Sequence, residues 1–261
     1  MDIFKYMEES PIKADCLMSY EAMAFDGCYY YFLIPCLCKI VKTDKKFNEI
    51  SCYEMDRKYN CICYDFSEHC FWATSKNCYS KIFKLNCAFK EIDFIKIHSF
   101  NCGLNCGEGC GRNYNEATGI VTGLSYNCCE NSLLVAFSQC IVELDKKTEH
   151  IKVRYKSCDK LITSVLSICP GYIFTAIKNN QQFNYILNSQ DKIIKIEPIS
   201  KCYILKNMIF NPCFKCHKHH KLDDSCEKEN CIKKHNQIVI YSLVIKKGCY
   251  QYIVKTNIEK S

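Results

Sequence analysis

The residues best equipped for chemistry are sulfur and imidazole donors gathered toward the C-terminal end. Cys213-Phe-Lys-Cys216-His217-Lys-His219-His220 is followed by Cys226, Cys231 and His235, eight cysteine or histidine residues within 23. Zn²⁺ takes four S or N donors in a tetrahedron, and a C-x2-C knuckle presents two thiolates from one tight turn. Cys213 and Cys216 with Cys226 and Cys231 therefore form a candidate zinc set, in which His217, His219, His220 or His235 can replace one member. The spacing fits no zinc-finger class, so a disulfide-linked or simply polar loop is the competing reading.

A second cluster, Cys102-Gly-Leu-Asn-Cys106-Gly-Glu-Gly-Cys110-Gly111, spaces three cysteines four apart among glycines. The radical-enzyme iron–sulfur pattern needs spacers of three and two residues, whereas both spacers here are three. The glycines instead favour a loop with exposed, oxidisable thiols, which makes Cys102, Cys106 and Cys110 cross-linking candidates. The other cysteines mostly fall within apolar runs. Cys36 with Cys38, and Cys61 with Cys63, lie two apart, so each pair should share one face of a strand and behave as small hydrophobes.

Motifs for catalysis are missing. Gly123-Leu-Ser125-Tyr-Asn127 lacks the final glycine of a nucleophile elbow, and there is no phosphate loop, dinucleotide fingerprint or zinc-protease helix. Asp26, Asp44, Asp65, Asp145 and the equivalent asparagines could in principle ligate calcium, but their regular recurrence marks them as turn formers. The aromatic runs Tyr29-Tyr30-Tyr31-Phe32 and Phe71-Trp72 read as core.

That recurrence is the main architectural signal. An apolar run, an Asx residue and an Ile six residues later appear as Lys39–Asp44 to Ile50, Lys81–Asn86 to Ile92, Ile141–Asp145 to Ile151 and Asn184–Asn188 to Ile194. The Asx steps are 42, 59 and 43 residues, the middle one being a period plus an insertion. Upstream in each unit lies a second pair of runs: Met23–Asp26 before Tyr29–Leu33, Ile62–Asp65 before Cys70–Ala73, Leu124–Asn127 before Leu133–Phe137, and Leu166–Ile168 before Tyr172–Ala176. An Asx side chain caps the backbone two residues on, so each pair is a hairpin. Two hairpins per period of about 42 residues is the size of one four-stranded propeller blade.

The fifth unit is irregular, with a strand at Tyr203–Phe210 and a hairpin from Gln237–Ile245 and Cys249–Lys255. Helical periodicity is confined to Asp15–Met23, and the sequence leaves open whether the blades close as five or need a sixth part formed by Met1–Cys16. The expected fold is a single all-β, β-propeller-like domain over 1–261, with about five four-stranded blades and Cys-rich insertions at 101–116 and 211–236.

The outer hairpin, an apolar strand ending in Asp, a tight turn and a second strand, resembles blades of the YVTN, lactonase and quinoprotein-type propellers. The resemblance runs clearly from Tyr20 to about Ile196. It implies architecture alone, because propellers host enzymes, scaffolds and ligand binders.

The chain has 261 residues, 48% hydrophobic and 24% charged, which suffices for a core without staples, yet 24 are cysteine. No apolar run reaches the roughly 18 residues of a membrane helix. Asp2, Lys5, Glu8 and Glu9 stand where a signal peptide is apolar, so synthesis in the cytoplasm with reduced thiols is expected. The net charge is +7, but the lysines are dispersed and only Arg57, Arg112 and Arg154 are arginine, which argues against nucleic acid as a partner. Nothing in the sequence points to a small-molecule ligand.

The composition is similar to that of cysteine-rich coat and exosporium proteins of clostridial spore formers. That resemblance implies a non-catalytic structural or interaction protein, associating with itself or other proteins and cross-linked in a spore or surface layer. The alternatives are a zinc-stabilised binding module and a calcium-dependent hydrolase or lactonase. The last requires carboxylates from several blades to meet at one channel mouth.

Overall fold

The computed structural model describes residues 8–11, 20–97, 120–210, 237–246 and 250–259. Its strands are β1 (Glu8–Pro11), then β2 (Ala22–Phe25), β3 (Tyr30–Ile34), β4 (Lys39–Thr43) and β5 (Glu49–Glu54) of blade 1. Blade 2 holds β6 (Tyr59–Asp65), β7 (Cys70–Ser75), β8 (Cys78–Leu85) and β9 (Glu91–Lys96). Blade 3 holds β10 (Val121–Asn127), β11 (Ser132–Phe137), β12 (Cys140–Asp145) and β13 (Ile151–Lys156). Blade 4 holds β14 (Leu161–Ser167), β15 (Tyr172–Lys178), β16 (Gln181–Leu187) and β17 (Ile193–Pro198). Blade 5 takes β18 (Tyr203–Phe210), β19 (Gln237–Lys246) and β20 (Tyr250–Glu259), and its fourth strand is β1.

All five sheets are antiparallel, and four run in chain order; the fifth has the order β1-β20-β19-β18. Blade 5 is thus completed by pairing Glu8–Pro11 with Tyr252–Lys255, which joins the two ends of the chain in one sheet. The ring closes with five blades. Five apolar clusters account for the closure, one in each interface between neighbouring blades. Leu33, Phe71 and Phe89 fill the interface of blades 1 and 2. Trp72, Leu133 and Val135 fill that of blades 2 and 3. Phe174 and Leu134 pack between blades 3 and 4, Leu205 and Leu166 between 4 and 5, and Phe32 and Leu243 between 5 and 1. Strands in the middle of a blade are therefore apolar on both faces: Tyr30–Ile34 and Cys70–Ser75 are buried at every position.

The Asx turns form as the spacing predicts. Asp44 Oδ1 accepts the backbone N–H groups of Lys46 and Asn48, Asn86 Oδ1 those of Ala88 and Lys90, Asp145 Oδ1 those of Lys147 and Thr148, and Asn188 Oδ1 those of Gln190 and Lys192. In three of these turns the residue three after the Asx is left-handed: Phe47 at φ 64°, Phe89 at 60° and Asp191 at 61°. Each closes a type I turn followed by a bulge. Ile92 and Ile194 then sit in that irregularity and are 55% and 63% exposed, whereas Ile151 pairs directly with Leu144 and is half-buried.

Two local expectations change. Cys36 and Cys38 are not in a strand: Pro35, with fixed φ and no N–H to donate, ends β3, opens a 3₁₀ turn at Pro35–Leu37 and leaves Cys38 left-handed at φ 52°. Ala22 and Met23 open β2 instead of ending a helix, because both are buried in the ring. Tyr29 is 36% exposed with the Lys42 ammonium 3.8 Å from its ring centre, unlike the core residues Tyr30 to Phe32. Among the described residues no helix is long and apolar enough to cross a membrane.

Candidate functional site

An antiparallel four-stranded blade puts its first and third turns at one end and its second turn and outgoing link at the other. The repeated Asx residues therefore all lie on one face of the ring, the Asx face, and the blade-to-blade links lie on the opposite, link face. This sorting places the candidate residues. Cys102, Cys106 and Cys110 lie outside the described residues, in a segment whose described ends, Ile97 and Ile120, belong to the link between blades 2 and 3. Cys213, Cys216, His217, His219, His220, Cys226, Cys231 and His235 also lie outside them, in the sequence between β18 and β19.

Near the axis, the free edges of the inner strands are met by side chains of the neighbouring blade. Asn60 Nδ2 donates to the Val121 carbonyl at 2.7 Å, Ser125 Oγ accepts from the Ser167 N–H at 3.0 Å, and Asn207 Oδ1 accepts from the Met23 N–H at 3.3 Å. Gln182 bonds both the N–H and C=O of Leu205, and Gln251 both those of Tyr20. An unpaired strand edge is a docking template; here it is occupied from within the ring. Ser125, the serine of the incomplete nucleophile motif, is one of these links.

The ionisable groups that come together also span blades. The Lys146 ammonium of blade 3 reaches Asp65 Oδ2 of blade 2, Glu68 Oε1 at 2.9 Å and Ser67 Oγ at 3.1 Å, with the Lys146 and Asp65 side chains 2% and 0% exposed. Burial alone would raise the Asp65 carboxyl, but hydrogen bonds from Lys146, Ser67 and the Trp72 indole outweigh it and hold the group below the ordinary carboxylate range. Glu143 Oε1 accepts from Asn127 at 2.9 Å and Ser132 at 2.5 Å. Its other oxygen takes Arg154 Nη1 at 2.7 Å, while Arg154 Nε reaches Asp191 of blade 4 at 2.8 Å. Burial opposes ionisation of Glu143 as well, and the donors from Ser132, Arg154 and Asn127 again hold its carboxyl low.

Arg154→Ala leaves the Glu143 and Asp191 carboxylates facing one another without a cation, and is expected to lower stability by about 2–3 kcal/mol at pH 7. Because Glu143 titrates lower in the folded chain than unfolded, its contribution is present above roughly pH 4.5 and is lost as pH falls through the folded value. The loss in the variant should therefore shrink on acidification, which urea unfolding at pH 7 and pH 4 measures.

Asp65, Glu68 and Cys70 bring three ligand-type atoms within 4.8 Å of one another. The cation position is already filled by Lys146, Glu68 also pairs with Lys84, and burial pushes the Cys70 thiol up to about 12, so it stays protonated. This group belongs to one turn of one blade. It is the one group of three or more Cys, His, Asp or Glu side chains close enough to hold an ion among the described residues, whereas a calcium-dependent hydrolase requires carboxylates from several blades. Cys61 and Cys63 are buried as the sequence leads one to expect; burial pushes Cys61 up to about 12 and Cys63 well above its usual value. Such thiols are inert.

The reactive chemistry left on the described surface is thiol. Cys28, Cys87 and Cys128 are exposed on the Asx face, Cys36, Cys158 and Cys202 on the link face, and Cys52 on the outer strand β5. Cys129 and Cys169 form a disulfide joining blades 3 and 4, with their Cα atoms 6.1 Å apart. Sequence reasoning did not single out this pair, although each cysteine stands two residues after the polar residue of its inner turn.

These features define a five-bladed, cysteine-rich β-propeller. Searches against family models and against curated proteins find no match. Among solved structures the chain is similar to hydrazine synthase of Kuenenia stuttgartiensis, with a TM-score of 0.52, 10% identity, and 96% of this chain and 66% of that one covered. It is also similar to a chain of a nidogen/laminin complex, at TM-score 0.51 and 13% identity over 70% of this chain and 65% of that one. A virginiamycin B lyase from Staphylococcus aureus aligns at TM-score 0.46 and 13% identity, covering 88% and 63%. The chain thus spans about two thirds of the length of the solved chains it matches. At these identities the likeness shows the propeller fold alone.

Proposed function

We propose that this protein is a non-catalytic structural or interaction unit whose propeller carries exposed thiols for cross-linking to protein partners or to further copies of itself. One observation carries the reading: among the described residues, the charged groups that converge are consumed by ion pairs within and between blades, while the accessible reactive groups are cysteines distributed over both faces and an outer strand. A ring that offers thiols in several directions can be linked into a layer. A spore or other surface layer, oxidised after assembly, is the setting that suits such chemistry, with the protein made in the cytoplasm as a reduced chain. Cys102, Cys106 and Cys110 belong to this proposal as additional cross-linking residues. Zinc held by Cys213, Cys216, Cys226 and Cys231 is the proposed use of the second segment.

The test is to purify the protein anaerobically, then expose it to air, measuring metal content, free thiols and mass on non-reducing gels. Disulfide-linked multimers that dissolve in reductant, and that diminish when Cys102, Cys106 and Cys110 become Ser, are the expected result. About one zinc per chain, lost in a Cys213→Ser and Cys216→Ser variant, with a protein that stays monomeric in air, would move the assignment to a zinc-stabilised binding module.

A further inference from the structure

Each blade carries one polar residue in its inner turn and another directly after its outer Asx, both on the Asx face. In blades 1 to 4 the first is Asp26, Asp65, Asn127 and Ser167, and the second is Lys45, Cys87, Lys146 and Ser189. The structure seats Lys146 of blade 3 on Asp65 of blade 2, which brings an amine against a carboxyl group. Asp26 in blade 1 instead accepts from the Tyr31 hydroxyl at 2.6 Å, and the residue of blade 2 that corresponds to Lys146 is Cys87. Of the three seams between blades 1 and 4, only the one between blades 2 and 3 combines lysine with aspartate at these positions.

What surrounds this pair goes beyond what an ion pair needs. Asp65 Oδ1 faces three donors: the Ser67 N–H at 2.9 Å, the Ser67 hydroxyl at 2.7 Å and the Glu68 N–H at 3.2 Å. Oδ2 takes the Lys146 ammonium, with the Trp72 indole N–H at 3.1 Å. A second carboxylate reaches the nitrogen, because Glu68 Oε1 stands 2.9 Å from Lys146 Nζ while its Oε2 pairs with Lys84. The Tyr126 ring centre lies 5.0 Å from the same nitrogen. A nitrogen nucleophile, a carboxyl carbon beside it, donors aimed at one oxygen and a carboxylate on the nitrogen are the parts of an acyl-transfer site.

We propose that Lys146 and Asp65 condense into a side-chain amide that joins blades 2 and 3, with Glu68 carrying the proton. Held in contact, the two groups react as parts of one molecule, and well-oriented neighbours reach effective molarities of about 10⁵–10⁸ M. Their side chains are 2% and 0% exposed, so the water that would hydrolyse the product is kept out. Until the bond forms, the two groups keep the charges and the titration of the ion pair described above. The link is internal and uses no thiol, so it stands or falls separately from the cross-linking proposed for the cysteines. It ties residues 81 apart in the chain and, unlike Cys129–Cys169, persists in reductant.

The step balances without a co-reactant. A proton passes from the Lys146 ammonium to Asp65 Oδ2, which leaves a neutral amine beside a neutral carboxylic acid and changes no net charge in the buried site. The amine lone pair attacks Asp65 Cγ, a C–N bond forms, and the carbonyl electron pair moves to Oδ1, where the Ser67 and Glu68 N–H groups and the Ser67 hydroxyl receive the charge. Glu68 Oε1 takes a second proton from the nitrogen and returns it to the Oδ2 hydroxyl. The carbonyl re-forms, the C–Oδ2 bond breaks, and one water leaves; nothing is oxidised or reduced.

The experiment is the intact mass of the purified whole chain, reduced and denatured, followed by digestion and fragment sequencing by mass spectrometry. The expected chain is lighter by one water than its sequence requires and yields a branched peptide in which Lys146 is joined to Asp65. Glu68→Gln keeps the amine and the carboxyl in place, so it should still unfold cooperatively on heating while losing water about 100-fold more slowly than the parent. Lys146→Arg keeps the cation without the nucleophilic amine and should show the full sequence mass. The proposal is overturned if the folded parent keeps its full mass after prolonged incubation at pH 7, or if Glu68→Gln condenses as fast as the parent. It is also overturned if the missing water maps to a cyclised aspartate at Asp26-Gly27 with no branched peptide.

Discussion

Replacing Lys146 with Ala is expected to destabilise the protein by about 3–5 kcal/mol at pH 7, a fall of roughly 10 °C in Tm for a chain of this size. The side chains of Lys146 and Asp65 are 2% and 0% exposed, so the substitution strands a carboxylate where water cannot reach it. The Trp72 indole at 3.1 Å and the Ser67 hydroxyl at 2.7 Å still donate to Asp65, but no charge opposes it. The pH dependence gives the effect its signature. In the parent chain the folded Asp65 carboxyl lies below its unfolded value, so its contribution is present above about pH 4 and lost as pH falls through the folded value. Without Lys146, burial dominates and raises the folded value above the unfolded one, so the folded state takes up a proton and the penalty diminishes toward acid pH. Urea unfolding at pH 7 and pH 4 separates these behaviours, and a loss under 1 kcal/mol at pH 7 would show that the pair is not buried as described. The double variant Asp65→Asn with Lys146→Met, which removes both charges and keeps the apolar stem, should recover most of the stability.

Gly123→Ala is expected to cost about 2–3 kcal/mol, opposite in sign to the usual small gain from reducing glycine's freedom in the unfolded chain. A Cβ at Gly123 would lie 2.7 Å from the Val165 nitrogen and 3.0 Å from the Ser164 Cα and carbonyl carbon. These are backbone atoms of the next blade and cannot rotate aside. β10 and β14 must separate, which stretches the Ser167 N–H to Ser125 Oγ bond of 3.0 Å and the Ser167 Oγ to Asn127 bond of 3.3 Å. Gly123→Val should be worse, because its branches add bulk at the same contact. Thermal unfolding of the two variants is the measurement; a neutral or stabilising Gly123→Ala would mean that the inner strands stand farther apart.

Much of the architecture is legible in the amino-acid order because turn chemistry is local. Asp44, Asn86, Asp145 and Asn188 cap amides two to four residues away, so each turn is written in about five consecutive residues, and a repeat of about 42 residues follows from finding the turns. Tyr203–Phe210 is a strand as read, and the fifth hairpin differs from expectation only at its ends. Cys36 and Cys38 escaped the strand reading because the pattern of alternate residues ignores what Pro35 does to the chain. The zinc and cross-linking candidates lie outside the described residues, while the polar groups that do meet were hidden in the sequence among ordinary lysines and acids.

What the sequence determined by itself is the unit: four short strands, two Asx-capped hairpins, repeated about five times, in a chain whose spare chemistry is thiol. Only the tertiary structure decided what crosses between units. Lys146 meets Asp65 from 81 residues away, Cys129 meets Cys169 across 40, and Glu8–Pro11 completes the blade made by the chain's other end. The physical reason is the ring itself. A blade cannot bury both of its faces alone, and only when five pack face to face around an axis do the inner turns converge, bringing distant residues into contact that no local pattern records.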